Sequence, residues 1–158
     1  MIHSKHLEKL LYDWEGCKLH PYWDQGGKLT IGVGHLLTQS ELISGKIGNI
    51  QWRDGIYPED ARYILGRDLE PADRLVCQII EVELTQHQFD SLVSFVFNIG
   101  RNAFINSSLV RLLNGGDYQA VPEQLRRWNK VKVKGEYKVS QGLINRREKE
   151  IVLWEAES

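Results

Sequence analysis

Two carboxylic acids and a threonine near the amino terminus carry spacing that suits bond hydrolysis. Glu15 closes an apolar-periodic stretch, Asp24 follows nine residues later in a turn, and Thr30 stands on the run after that turn. Glycosidic cleavage commonly uses two carboxyl groups. One protonates the leaving oxygen, and the other handles water or the sugar cation. A pair held at a helix end and a hairpin turn can flank a groove, with a threonine hydroxyl beside it to orient water. With 21 acids in the chain, this spacing on its own is a weak pattern, and two solvated surface carboxylates would produce it equally well.

The elements that must position these groups read from local signals. Leu7, Leu10, Leu11 and Trp14 fall at helical spacing, with Ser4 as N-cap and Gly16 as the stop. Between Leu19 and Gly34, Gly26-Gly27 marks a turn and Leu29, Ile31 and Val33 alternate as in a hairpin strand. Thr30, Gly32 and Gly34 form the other face of that run, and bare glycines there suit a bulge, a tight crossing or the approach of something bulky. Residues 44–57 read as loop with short extended pieces.

A helix opens at Pro58 with Glu59 and Asp60 in its first turn, and Pro71 predicts a kink or break near Glu70. Thr85 and Gln88 form a capping-box pattern ahead of Phe89, Leu92, Val93, Val96 and Phe97, a buried helix ending at Gly100. Shorter helices follow over Ser107–Leu113 and between Asp117 and Trp128, where Pro122 resets the start. KVKVKGEYKV predicts a hairpin about Gly135, and a last helix carries Leu143 to Trp154. Helices beside a small sheet, not alternating with it, make an α+β chain. The expected layout is one 158-residue domain with a sheet-bearing front lobe at about 15–57 and a connecting helix at about 58–80. A helical back lobe then spans about 81–158, with the N-terminal helix packed on it.

Composition narrows the partners. The net charge of −1 gives no whole-molecule attraction to nucleic acid, and no nucleic-acid motif is present. From Arg126 to Lys149, however, nine bases stand against only Glu136 and Glu148, a local excess suited to anionic cell wall or membrane, or equally to a solvated charged face. Cys17 and Cys77 sit far apart and are expected as free thiols. No metal-ligand spacing appears, so neither a metal nor another cofactor is expected. The charged amino terminus shows no secretory signal or membrane anchor.

The string EGCKLHPYWDQGGKLTIGVGHLLT, from Glu15 to Thr38, closely resembles the signature segment of phage-type lysozymes, the muramidases of glycoside hydrolase family 24. The resemblance lies in Glu15-Gly16, Tyr22, Asp24 and the Thr30-Ile31-Gly32-Val33-Gly34-His35 run. It extends through FDSLVSFVFNIG, AFINSSLVRLLNGGDY and GLINRREKE, and so covers about Lys5 to Trp154.

The resemblance implies a lysozyme-like fold with a cleft between its lobes, working as a monomer on the β-1,4 bond between N-acetylmuramic acid and N-acetylglucosamine of peptidoglycan. Glu15 becomes the general acid, Asp24 the second carboxylate, and Thr30 the residue that orients water. Leu36, Phe97, Asn98 and Ser107 fall where the family lines its cleft, although Leu36 and Phe97 also read as core. Arg146 is expected to orient Glu15 by a charge-assisted hydrogen bond, or else to be a solvated helix charge. His35 is expected in a structural ion pair with Asp68, titrating above its ordinary value. The implied setting is an endolysin made in the host cytoplasm and reaching the wall after release. The rival readings are a catalytically silent wall-binding module and a lytic transglycosylase, with chitin as a further substrate.

Overall fold

A computed structural model describes residues 1–157, and the chain divides into two compact units, Ser4–Glu70 and Met1–His3 with Pro71–Ser158. The first unit begins with α1, Lys5–Glu15, whose N-cap Ser4 accepts from the Leu7 amide and whose helix stops at Gly16. Strands β1 (Lys18–Trp23), β2 (Leu29–Gly32) and β3 (His35–Leu36) form an antiparallel sheet in the order β1-β2-β3. Helix α2, Gln39–Ser44, follows, and then a small ribbon of β4 (Lys46–Ile47) and β5 (Ile50–Gln51). Helix α3, Pro58–Ile79, crosses from this unit into the second.

The core of the first unit is a cluster of Ile31, Ile47, Trp52, Ile56, Ala61 and Ile64, with Tyr12, Cys17 and Leu19 packed against it. Tyr12 belongs to α1, and the Glu8 carboxylate lies 2.9 Å from where a Cβ on Gly66 of α3 would stand. This close packing joins α1 to the sheet-bearing unit.

Three local expectations are resolved. The 30–35 run is not one strand: it breaks at Val33 and Gly34 into β2 and β3. Gly32 and Gly34 hold φ of 68° and 71°, the left-handed region that glycine enters without steric cost. Nor does Gly32 present a bare face, because a Cβ there would meet Ala61 Cβ at 3.7 Å and Ile56 Cδ1 at 3.8 Å. The glycine admits α3, which is the tight-crossing alternative. Finally, α3 is not broken at Pro71, since helical backbone continues from Pro58 to Ile79. Proline lacks one amide donor and crowds the preceding turn, but apolar burial of Leu69, Ala72, Leu75 and Val76 holds the helix together.

The second unit is helical. Helix α4 (Gln86–Ile99) carries the Thr85/Gln88 capping box and packs chiefly on α8 (Gln141–Glu155). Between them run α5 (Arg101–Ile105), α6 (Ser108–Asn114), a 3₁₀ turn at Tyr118–Ala120 and α7 (Val121–Arg126), with Pro122 in the first turn of α7. A hairpin of β6 (Lys130–Val133) and β7 (Glu136–Val139) precedes α8. The core holds Phe89, Leu92, Phe95, Phe104, Leu109, Leu125 and Ile151, all 3% exposed or less. Phe95 meets the rings of Phe104 and Trp128 edge-on, at 6.2 and 5.7 Å between centroids.

Candidate active site

The sheet unit holds all three residues expected to carry catalysis, Glu15, Asp24 and Thr30. Glu15 is the last residue of α1 and is exposed; the chain then turns at Gly16 directly into β1. Asp24 follows β1. Its amide donates to the Lys28 carbonyl at 2.9 Å, and its own carbonyl accepts from Gly27 at 3.0 Å, closing the hairpin loop. The side chain is fixed as well, because Asp24 Oδ1 accepts from the Lys28 amide at 2.8 Å. The other carboxylate oxygen accepts no hydrogen bond from the described residues.

Thr30 lies on β2 opposite Tyr22 and Leu36. Its hydroxyl donates to the Lys28 carbonyl at 3.0 Å and retains lone pairs that can accept. Lys28 thus meets both side chains, through its amide to Asp24 and its carbonyl to Thr30. Cross-strand partners lie on the same side of a sheet, so Tyr22 and Leu36 share a face with Thr30. No sequence signal pointed to Lys28, since its contribution is entirely backbone.

Below this row, His35 lies between two carboxylates. Its Nδ1 is 2.7 Å from Asp68 Oδ2 on α3, the partner expected from sequence. Its Nε2 is 2.8 Å from Glu41 Oε1 on α2, a partner sequence reasoning missed. The same Glu41 oxygen accepts from the Thr38 amide at 2.9 Å in a capping box. Thr38-x-x-Glu41 was the available signal for both the helix and the second acid. Burial disfavours the imidazolium, but hydrogen bonds and attraction from Asp68 and Glu41 outweigh it, so the His35 pKa is raised. For Glu41, burial pushes upward, and the Thr38 amide with His35 overcomes it, leaving the pKa lowered.

The signs of these shifts define a stability window. Raised His35 contributes stability that is complete below its unfolded pKa of about 6.5 and is lost as pH rises through the folded value. Lowered Glu41 contributes above its unfolded pKa and loses that contribution as pH falls through the folded value. Urea unfolding of wild type and His35→Gln across pH should show a stability gap that narrows above neutrality. A gap constant from acid to alkaline pH would show that charge on His35 does not support the fold.

The remaining expected residues divide between the units. Leu36 is 47% exposed on β3, so it is surface and not core. In the helical unit, Phe97 is half-buried, and exposed Asn98 accepts from the Arg147 guanidinium. Ser107 is buried and committed to capping α6: its hydroxyl accepts from the Val110 amide at 3.3 Å and donates to the Phe104 carbonyl at 2.7 Å.

Arg146 is 8% exposed, which overturns the reading of it as a solvated charge. It reaches Glu150 at 3.3 Å and the Ser94 carbonyl at 3.1 Å. Arg147 is 3.2 Å from Glu150, and Ser94 donates to Glu150 at 2.6 Å. Burial lowers the pKa of both arginines, against the opposing attraction of Glu150. Burial likewise raises that of Glu150, against the two guanidinium groups. Sequence reasoning missed Glu150. Its only signal was the spacing of four from Arg146 and three from Arg147, which solvated helix pairs share.

Comparison with known proteins decides the family. The phage lysozyme family model matches residues 12–150. The chain belongs to the phage lysozyme family. It is 36% identical over 147 residues to an endolysin of Acyrthosiphon pisum secondary endosymbiont phage 1, covering 93% of each chain. Among solved structures it resembles an endolysin from Escherichia coli O157:H7 phage FAHEc1 with a TM-score of 0.84 and 32% identity, covering 98% of this chain and 94% of that one. It also resembles the muramidase domain of SpmX from Asticaccaulis excentricus, with a TM-score of 0.82 and 30% identity over 98% and 97% of the two chains. The α+β lysozyme-like fold read from the sequence is the fold found. This family member is a peptidoglycan-hydrolysing lysozyme, a glycoside hydrolase. Among the described residues no helix is long and apolar enough to cross a membrane, and no acid, histidine and cysteine group is arranged to hold a metal ion.

Proposed function

We propose that this lysozyme cleaves the β-1,4 bond between N-acetylmuramic acid and N-acetylglucosamine, with Glu15 as general acid and Asp24 and Thr30 placing the water. The observation that carries this reading is the shared attachment of the Asp24 and Thr30 side chains to the backbone of Lys28. It fixes an acceptor-only carboxylate beside a hydroxyl, the pair needed to orient a water and take its proton. Glu15, exposed at the end of α1 in the same unit, supplies a carboxyl on a separate element.

In the proposed reaction Glu15 gives its proton to the leaving glycosidic oxygen as the bond to the anomeric carbon breaks. The water held by Asp24 and Thr30 adds to that carbon and yields its proton to Asp24. Direct attack by water on the face opposite the leaving group inverts the configuration. Leu36, paired with Thr30 across the sheet and half exposed, offers an apolar surface to a sugar ring. The Asn98 amide is a second candidate contact. Several bound sugars would contribute binding energy that is realised at the transition state. The biological role proposed is host-cell lysis, with a separate membrane lesion admitting the enzyme to the wall.

The test is mass spectrometry and NMR of peptidoglycan digested by the purified protein. Reducing ends on N-acetylmuramic acid, formed first with inverted configuration, are expected. Anhydro-sugar ends, lighter by one water, would move the reaction to a lytic transglycosylase. Retained configuration would remove the direct-water role of Asp24 and Thr30. Wall binding without any cleavage would make the chain a silent binding module.

A further inference from the structure

The basic segment noted in the sequence resolves into two kinds of charge. Arg146 and Arg147 are buried, and Arg126 pairs with Glu148 at 2.9 Å. What stands clear is the β6–β7 hairpin, exposed at every position of both strands. Its two-residue loop, Lys134-Gly135, has positive φ at both positions (50° and 84°), the turn that matches the twist of a tight ribbon.

The register sorts the side chains into unequal faces. Lys130 faces Val139 and Lys132 faces Tyr137 on one side; Val131 faces Lys138 and Val133 faces Glu136 on the other. On the first face Tyr137 is 71% and Val139 61% exposed, whereas Val131 and Val133 on the second are each 39% exposed. The open face therefore joins two lysines and two apolar side chains, with Lys134 at its tip and no acid. The Lys132 ammonium lies 5.8 Å from the Tyr137 ring centroid, so cation and ring are presented together.

We propose that this face docks on an anionic phospholipid surface, with Lys130, Lys132 and Lys134 at the headgroup phosphates and Tyr137 and Val139 entering the interfacial layer. Charge complementarity alone would suit any polyanion. The apolar pair selects the lipid, because a hydrated glycan or nucleic acid offers Tyr137 and Val139 no medium to enter. A bilayer interface removes them from water while the lysine stems extend to the headgroups. Glu136, the one acid of the hairpin, lies on the opposite face. None of these residues is among those proposed for hydrolysis, so the vesicle test does not depend on the cleavage mechanism.

The full chain would be sedimented with vesicles of phosphatidylcholine alone and of phosphatidylcholine containing phosphatidylglycerol, at near-physiological salt. Binding to the anionic vesicles only is expected. Each lysine lost should weaken it roughly fivefold, and the triple variant Lys130→Gln, Lys132→Gln, Lys134→Gln on the order of a hundredfold. The matching arginine variants should bind as wild type does. Tyr137→Ser with Val139→Ser should weaken binding by about tenfold or more while melting at the wild-type temperature. The proposal is overturned if the serine variant binds like wild type, since the contact would then be charge alone. It is equally overturned if neutral vesicles bind as well as anionic ones. Binding to purified anionic wall polymer without affinity for anionic vesicles would also overturn it and assign the face to the wall.

Discussion

Glu15→Gln is expected to lower peptidoglycan hydrolysis by about 10²- to 10⁴-fold, the range associated with loss of a positioned general acid. The substitution keeps the size of the side chain and its capacity to hydrogen-bond, and removes only the proton it can donate. Glu15 lies at the exposed end of α1, after the buried Leu7 and Leu11 that anchor that helix. The change should therefore appear in kcat and not in folding. Turnover of purified peptidoglycan, measured beside thermal unfolding, separates the two. Near-normal turnover would reassign the acid. Loss of turnover together with early melting would make Glu15 a structural residue. Asp24→Asn offers an internal control, because it should retain the Lys28 amide contact while losing the group that receives the proton of water.

The second large effect concerns stability. Glu150 is fully buried and is the carboxylate shared by Arg146 and Arg147, which are 8% and 1% exposed. In Glu150→Gln the two guanidinium groups lose that compensating charge, although the bond from Ser94 can persist. Breaking a buried ion pair by removing one partner typically costs about 3–5 kcal/mol. For a chain of this length that corresponds to a fall in melting temperature of roughly 10 °C. Urea unfolding of wild type and variant checks it. A loss within about 0.5 kcal/mol, the usual scale of a surface change, would show that the arginines do not depend on Glu150. Replacing all three residues by apolar side chains of similar volume should recover much of the loss, because buried ion clusters carry a desolvation penalty of their own.

Both predictions rest on residues of the same chemical type that the sequence presents in similar ways. Glu15 stood out because an ordered string surrounds it: Gly16, Tyr22, Asp24 and the Thr30–His35 run. Glu150 sits among Arg146, Arg147, Glu148 and Lys149, where charges three and four apart are the ordinary pattern of a wet helix. Its own helix gives no sign that Glu150 is buried while Glu148 and Glu155 are exposed. That difference arises where α8 packs on α4, and where the fully buried Ser91 and Ser94 donate to the Glu150 carbonyl and carboxylate.

What the sequence determined by itself was local. Ser4, Thr85 with Gln88, and Ser107 cap helices because a side-chain oxygen can reach an amide three residues on. Pro122 opens a helix because it needs no amide donor. The turns at Gly26-Gly27 and Lys134-Gly135 follow from backbone freedom in adjacent residues. The ordered motif from Glu15 to His35 likewise belonged to the sequence, since its identity lies in residue types and their spacing.

Tertiary structure decided whatever depended on a partner distant in the chain. It broke the Thr30–His35 run at two left-handed glycines so that α3 could approach Gly32. It kept α3 continuous through Pro71 by burying residues on both sides of it. It brought Glu41 to His35 beside the expected Asp68, and it buried Arg146 and Arg147 while leaving the lysines of the hairpin in water. The physical reason is common to these cases. Caps and turns are settled within a few residues, but whether a charge is solvated or buried depends on which surface packs over it, and that surface comes from elsewhere in the chain.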